Sequence, residues 1–248
     1  VAVLLLHGQP GSARDWDAVV AALGNRARPV PITRPGWDGA TPPTNLEGNA
    51  RAAIQALEDA REQSALVVGH SLGGAVAAWL AATRPERVTG LVLVAPSANR
   101  DALVPADHLL ASPLIGDVLS AASLALAGNA LALGVARRLL GRELGVDADY
   151  LRGSGPMLTR PRTWRSFVSE QRMLIRELPE LEARLPDIRA PTTVVAGTAD
   201  RIVPIRSARR LTEQIPGAGM VALPDTHHLV HQQRPAQLAQ IILSAAQR

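Results

Sequence analysis

Gly69-His70-Ser71-Leu72-Gly73 sets one serine between two glycines, where the apolar run Ala65–Val68 gives way to the helix-forming stretch Leu72–Thr83. A serine at a sharp strand-to-helix turn is presented on strained backbone. The N-terminus of the following helix then offers free N–H groups to a developing negative charge. Side chains at positions 69 and 73 would collide across so tight a turn, and Gly74 allows close packing of the helix. Ser71 is thus a candidate nucleophile, although the same five residues also suit a plain glycine-rich turn. A serine hydroxyl is a poor nucleophile at neutral pH, so it needs a base, and the base needs an orienting acid.

Six histidines are available as the base. His70 is adjacent to Ser71, and successive side chains diverge, so it reads as a buried, hydrogen-bonded residue at the edge of a pocket. His7 falls in the turn after the first apolar run and reads as structural, whereas His108 falls among surface helices. The remaining three lie in Asp225-Thr226-His227-His228-Leu229-Val230-His231, after the last expected strand. Their spacing also suits a helical metal site, but Asp225 is the one nearby carboxylate and no H-E-x-x-H is present. For the acid, Gly197-Thr198-Ala199-Asp200-Arg201-Ile202-Val203-Pro204 puts Asp200 in a loop at the same sheet end, with Asp101 and Asn99 as weaker alternatives.

These residues need a scaffold that brings strand ends together. Apolar runs at Val1–Leu6, Arg28–Thr33, Ala65–Val68, Val88–Ala95, Thr192–Ala196 and Met220–Leu223 alternate with helical patterns, except between Pro96 and Asp187, where only helices are expected. Strand–helix alternation predicts an α/β fold, a mostly parallel twisted sheet with helices on both faces. Ligands meet such sheets at the carboxyl ends of the strands. The helical interval reads as an insertion over the sheet, because the alternation resumes after it. The uncharged run between Asp117 and Arg137 is interrupted by Ser120, Ser123, Gly128 and Asn129 and reads as a buried or pocket-lining helix pair rather than a membrane span.

Composition narrows the chemistry. There is no cysteine, which excludes disulfides, thiolate metal sites and cysteine nucleophiles. There is no lysine, which removes Schiff-base chemistry. The net charge of +4 is carried by scattered arginines without the aromatic-interleaved stripe of a nucleic-acid groove. No phosphate loop or dinucleotide fingerprint appears, so no cofactor is expected.

The stretches L-L-L-H-G-Q-P-G-S, R-P-G-W-D-G, V-V-G-H-S-L-G-G, V-V-A-G-T-A-D-R-I-V-P and T-H-H-L-V-H-Q-Q-R-P together resemble the α/β-hydrolase superfamily across nearly the whole chain. The chain order of serine, acid and base is also that of the superfamily. The resemblance implies a core of residues 1–96 and 188–248 with a helical cap at 97–187. It implies Ser71 as nucleophile, Asp200 as acid and His228 as base, with His227 standing where relatives usually carry glycine. It also implies an oxyanion hole from the backbone N–H groups of Gln9 and Leu72. Trp37, His70 and Trp164 are expected pocket residues. The implied activity is hydrolysis of an ester or related acyl bond in a small apolar substrate. The alternatives are carbon–carbon bond hydrolysis of a diketone-like substrate and ligand binding without turnover. The two antiparallel strands that usually precede the H-G strand are not seen, which would leave a sheet edge unprotected. No signal peptide or stable membrane insertion is expected, and the cytoplasm is the expected compartment.

Overall fold

A computed structural model describes residues 1–248, the side chain of Leu144 excepted. Six strands form one sheet: β1 (Ala2–Leu6), β2 (Arg28–Ile32), β3 (Ala65–His70), β4 (Val88–Val94), β5 (Thr192–Gly197) and β6 (Gly219–Leu223). Their order is β2-β1-β3-β4-β5-β6, and every neighbouring pair is parallel. The helices are α1 (Asp17–Leu23), α2 (Leu46–Asp59), α3 (Leu72–Thr83), α4 (Pro105–Ala111), α5 (Ile115–Ala132), α6 (Gly134–Leu144), α7 (Ala148–Leu158), α8 (Pro161–Arg184), α9 (Ile205–Gln214), α10 (Val230–Gln233) and α11 (Pro235–Ala245). The helical interval α4–α8 lies between β4 and β5, as the sequence pattern predicts.

The continuous apolar runs follow from burial on both faces of the sheet. Leu4 and Leu6 of β1 join one core layer with α2, α3, α8 and α9, while Val3 and Leu5 join the other with α1 and α11. Each fully buried leucine or valine contributes about 1.5–3 kcal/mol relative to exposure. These two layers fix the carboxyl strand ends from which the site is built.

The edge at β2 is better protected than expected. Arg28 N–H donates to Val1 O at 2.9 Å, so by alternation Val30 and Ile32 also point their N–H groups at β1. Pro29 and Pro31 occupy the positions whose donors would face outward, so that edge offers a pairing strand no N–H there.

A second expectation is corrected in the helical interval. The uncharged run is not a buried pair, although Gly128, Asn129, Leu131 and Ala132 of α5 line a cavity of about 470 Å³ against α7, in keeping with the pocket-lining alternative. α5 buries Gly116, Ser120, Gly128 and Leu131, while Val118, Leu126 and Leu133 are exposed. Its small and polar residues let α7 approach closely, as Gly128 and Gly155 face each other across that contact. Among the described residues α5 is the one helix whose length and apolarity alone would suit a membrane span.

Candidate active site

β3 delivers Ser71 at the sheet's carboxyl end with φ 53° and ψ −120°, a left-handed conformation that a side-chain-bearing residue rarely adopts. Hydrogen bonds hold the strain. Ser71 N–H donates to Val94 O at 3.0 Å, and Ser71 O accepts from Gly74 N at 2.9 Å and from Ser97 N at 3.0 Å. The flanking glycines are required by close approach. A Cβ at Gly69 would run into the Gly73 carbonyl, and one at Gly73 into the carbonyls of Leu6 and His7. Leu72 opens α3, and the first N–H groups of a helix have no intrahelical acceptor.

The loop after β5 places Asp200, and the loop after β6 places His228. Asp200 Oδ1 accepts from Ile202 N at 2.8 Å and Val203 N at 3.0 Å, and Oδ2 meets His228 Nδ1 at 2.8 Å. A carboxylate only accepts, so Nδ1 carries the proton and Nε2 is left as the basic nitrogen. The Asp200 side chain is 1% exposed and that of His228 10%, so the pair is shielded but not sealed. His227 points elsewhere, with its Nδ1 3.1 Å from Ala199 O. His231 lies in α10, a short helix within what reads from sequence as a loop, and packs on Trp16 and His70. The three imidazoles of this loop therefore diverge. Of the alternative acids, Asn99 is buried against Ser207, its Oδ1 accepting that hydroxyl at 2.8 Å, and Asp101 is exposed.

Ser71 and His228 line one cavity of about 110 Å³ with Gln9, Ser97, Asp107, Phe167, Gln171 and Val203 among its walls. No hydrogen bond joins Ser71 Oγ to His228 among the described residues. Catalytic hydrogen bonds are often long before substrate binds. Gln9 reaches across to α8: its Nε2 donates to Gln171 Oε1 at 2.7 Å, and Gln171 Nε2 donates to Asp107 Oδ1 at 3.0 Å. Among the described residues the Gln9 backbone N–H makes no hydrogen bond.

Three expected pocket residues are not brought to this cavity. Trp37 turns its Nε1 to Glu170 Oε2 at 2.9 Å, and Trp164 donates to Leu158 O at 2.6 Å. His70 lies beneath the site, with Nε2 donating to His228 O at 3.0 Å. Burial holds His70, His7 and His231 well below the usual imidazole range, His231 at about 3, so all three are neutral near pH 7. They add no positive charge beside Asp200 and His228.

Sequence reasoning missed Arg34, Glu170 and Gln171. Arg34 stands in the R-P-G-W-D-G stretch, which is the one signal that could have drawn attention to it. Glu170 and Gln171 are unremarkable polar residues in a long helix. All three are buried around the turn that carries Gln9.

The model of the alpha/beta hydrolase family matches residues 3–241. The chain belongs to the alpha/beta hydrolase family. It is an enzyme of hydrolytic type, and its sheet order and helical interval agree with that membership. Pyrethroid hydrolase from Sphingobium wenxiniae is 28% identical, over 98% of this chain and 87% of its own length. Pimeloyl-[acyl-carrier protein] methyl ester esterase from Aromatoleum aromaticum is also 28% identical, over 97% of this chain and 96% of its own. The crystal structure of an alpha/beta hydrolase fold protein from Burkholderia ambifaria superposes with a TM-score of 0.80 at 21% identity, covering 98% of this chain and 90% of that one.

Proposed function

We propose that this hydrolase cleaves carboxylic esters of small substrates through Ser71, His228 and Asp200. The observation that carries the reading is the Asp200 Oδ2–His228 Nδ1 contact of 2.8 Å beside a serine on strained backbone, with serine and histidine opening on one cavity. In the first half-reaction His228 Nε2 takes the Ser71 proton as Oγ bonds to the ester carbon. The carbonyl oxygen becomes an oxyanion in reach of the Gln9 and Leu72 N–H groups. Each such donor is worth about 3 kcal/mol in the transition state. The carbon–oxygen bond to the alcohol then breaks, and His228 returns the proton to the leaving oxygen. In the second half-reaction water attacks the acyl-enzyme, His228 again takes and returns the proton, and the acid leaves.

Asp200 does not transfer a proton in this scheme. It holds the imidazole in the Nδ1–H form and stabilises the cation that forms. Relatives named as hydrolases of a pyrethroid and of a methyl ester support an ester as the substrate class. The cavity, at about 110 Å³, is smaller than the roughly 300 Å³ at which ligand pockets usually begin. Short acyl groups fit it best, with Phe167, Leu174 and Val203 as apolar wall. The helical interval supplies part of that wall and acts as the cap.

Hydrolysis of p-nitrophenyl esters of increasing acyl length, with native protein beside Ser71→Ala, tests this. Turnover of acetate and butyrate that disappears in the variant is expected. Turnover that persists in Ser71→Ala, or none in either protein, would overturn the reading.

A further inference from the structure

Arg34 is fully buried, and every one of its side-chain donors is engaged. A guanidinium carries five N–H groups in a rigid fork. Here Nε donates to His7 O at 2.8 Å and Nη2 to Gly8 O at 2.9 Å. Nη1 donates to Asn49 Oδ1 at 3.2 Å, and both Nη atoms reach the Glu170 carboxylate, Nη2 to Oε2 at 3.2 Å. The Arg34 backbone N–H also donates to His7 Nε2 at 2.9 Å, which leaves His7 Nδ1 to donate to Gly8 O at 2.7 Å. Two consecutive carbonyls of the turn, His7 and Gly8, are thus held from behind by one side chain.

The Gly8 carbonyl belongs to the same peptide plane as the Gln9 N–H, and in a trans peptide the two point in opposite directions. Anchoring the carbonyl therefore sets the direction of the N–H. A cationic donor on the carbonyl also polarises the amide and strengthens its N–H as a donor. Glu170 is 1% exposed and comes from α8, so the charge that holds the turn is balanced from the helical interval. The next residue, Gln171, holds the Gln9 side chain.

We propose that Arg34 is the positioning residue for the Gln9 oxyanion donor and that Glu170 holds Arg34 in place, so that α8 clamps the oxyanion turn. The inference rests on the ester-hydrolase reading above. An uncompensated buried ion pair could be traded for apolar packing at little cost in stability. The arrangement here differs in that three of the five donors are spent on backbone and side-chain oxygens outside the pair, two of them in the turn itself.

Arg34→Lys tests the role, because it keeps the charge and loses the fork. With p-nitrophenyl acetate, kcat is expected to fall about tenfold to hundredfold while KM stays within about twofold. Affinity for a trifluoromethyl ketone, whose adduct with the serine places an oxyanion in the hole, is expected to fall in parallel. The pH profile of kcat/KM is expected to keep its shape, since Asp200 and His228 are untouched. Should Arg34→Lys fail to fold, the double variant Arg34→Gln/Glu170→Gln, which buries no charge, is expected to show the same kcat and ketone losses. A folded variant with native kcat and native ketone affinity would overturn the proposal and leave the pair a packing element. Absence of Ser71-dependent turnover in the native protein would instead sink the hydrolase reading, and this role with it.

Discussion

His70 places Nε2 3.0 Å from the backbone carbonyl oxygen of His228, so the residue preceding the proposed nucleophile supports the proposed base. A carbonyl only accepts, so His70 donates from Nε2 as a neutral imidazole, in keeping with its lowered pKa. The two rings also pack, with centroids 4.7 Å apart. His70→Phe would keep the ring and remove one of the two hydrogen bonds to that carbonyl, which also accepts from Val230 N–H at 2.9 Å, a loss of about 0.5–1.5 kcal/mol in stability. A tenfold lower kcat is expected as the His228 loop relaxes, about 1.4 kcal/mol of transition-state stabilisation. Urea unfolding and ester kinetics measure the two separately. Native kcat in a destabilised variant would show that the contact serves the fold alone.

Asp200→Asn is expected to lower kcat by about 10³–10⁴ with a small change in KM. Asp200 Oδ1 is committed to the Ile202 and Val203 N–H groups, so an asparagine would keep its carbonyl there and turn its NH₂ to His228 Nδ1. That forces the imidazole proton onto Nε2, where the base must be bare. Circular dichroism should show an unchanged fold. A modest loss of less than about tenfold would argue that another group orients His228.

How much of this was legible in the sequence depended on the range of the interaction. Strand ends were readable, because burial on both faces leaves continuous apolar runs and glycines mark the turns, and those ends bring Ser71, Asp200 and His228 together. Within the proposed triad, the choice between the two adjacent histidines was the less legible part. The downstream spacing to His231 and Pro235 favours His228 over His227 as the partner of Asp200, and His228 is the one that meets it. Trp37 and Trp164 illustrate a failure. Large aromatics near a site in sequence suggest a pocket wall, but both indole N–H groups needed buried acceptors and took Glu170 and Leu158 O. Arg34 and Glu170 stand 136 residues apart, and a pair that distant leaves no local signal.

Gly73→Ala is expected to destabilise the protein by about 3 kcal/mol and to abolish activity, because the new methyl meets backbone carbonyls that cannot move. Gly219→Ala is the control: a Cβ there meets nothing within 4 Å. It should be neutral or stabilise by about 0.4–1 kcal/mol through the unfolded chain. Chemical denaturation of both variants checks the contrast. An active, stable Gly73→Ala protein would show that the elbow is looser than its contacts imply.

The histidine layer makes a prediction about pH. His7, His70 and His231 have folded pKa values below 6.5, with burial the first cause in each and His231 at about 3. In the unfolded chain they take up protons near pH 6.5. Below that pH the unfolded state binds protons that the native state refuses, so stability is full above 6.5 and falls as pH drops toward the folded values. Each group contributes about 1.4 kcal/mol per pH unit within its window. Asp15 acts with the opposite sign. Burial raises its pKa from 3.8 to about 6, so between those values the native state holds a proton that the unfolded state has released. Between about pH 4 and 6 that offsets the His231 proton, and the downward shifts of His7 and His70 set the remaining direction, a loss of stability as pH falls. Urea midpoints at pH 7.5, 6.5, 5.5 and 4.5 would measure it, with His231→Phe expected to flatten the slope by about one proton. Equal slopes in the two proteins would show that the His231 ring finds a proton-binding partner in the folded state, and stability unchanged from pH 7.5 to 4.5 would show the same of the whole layer.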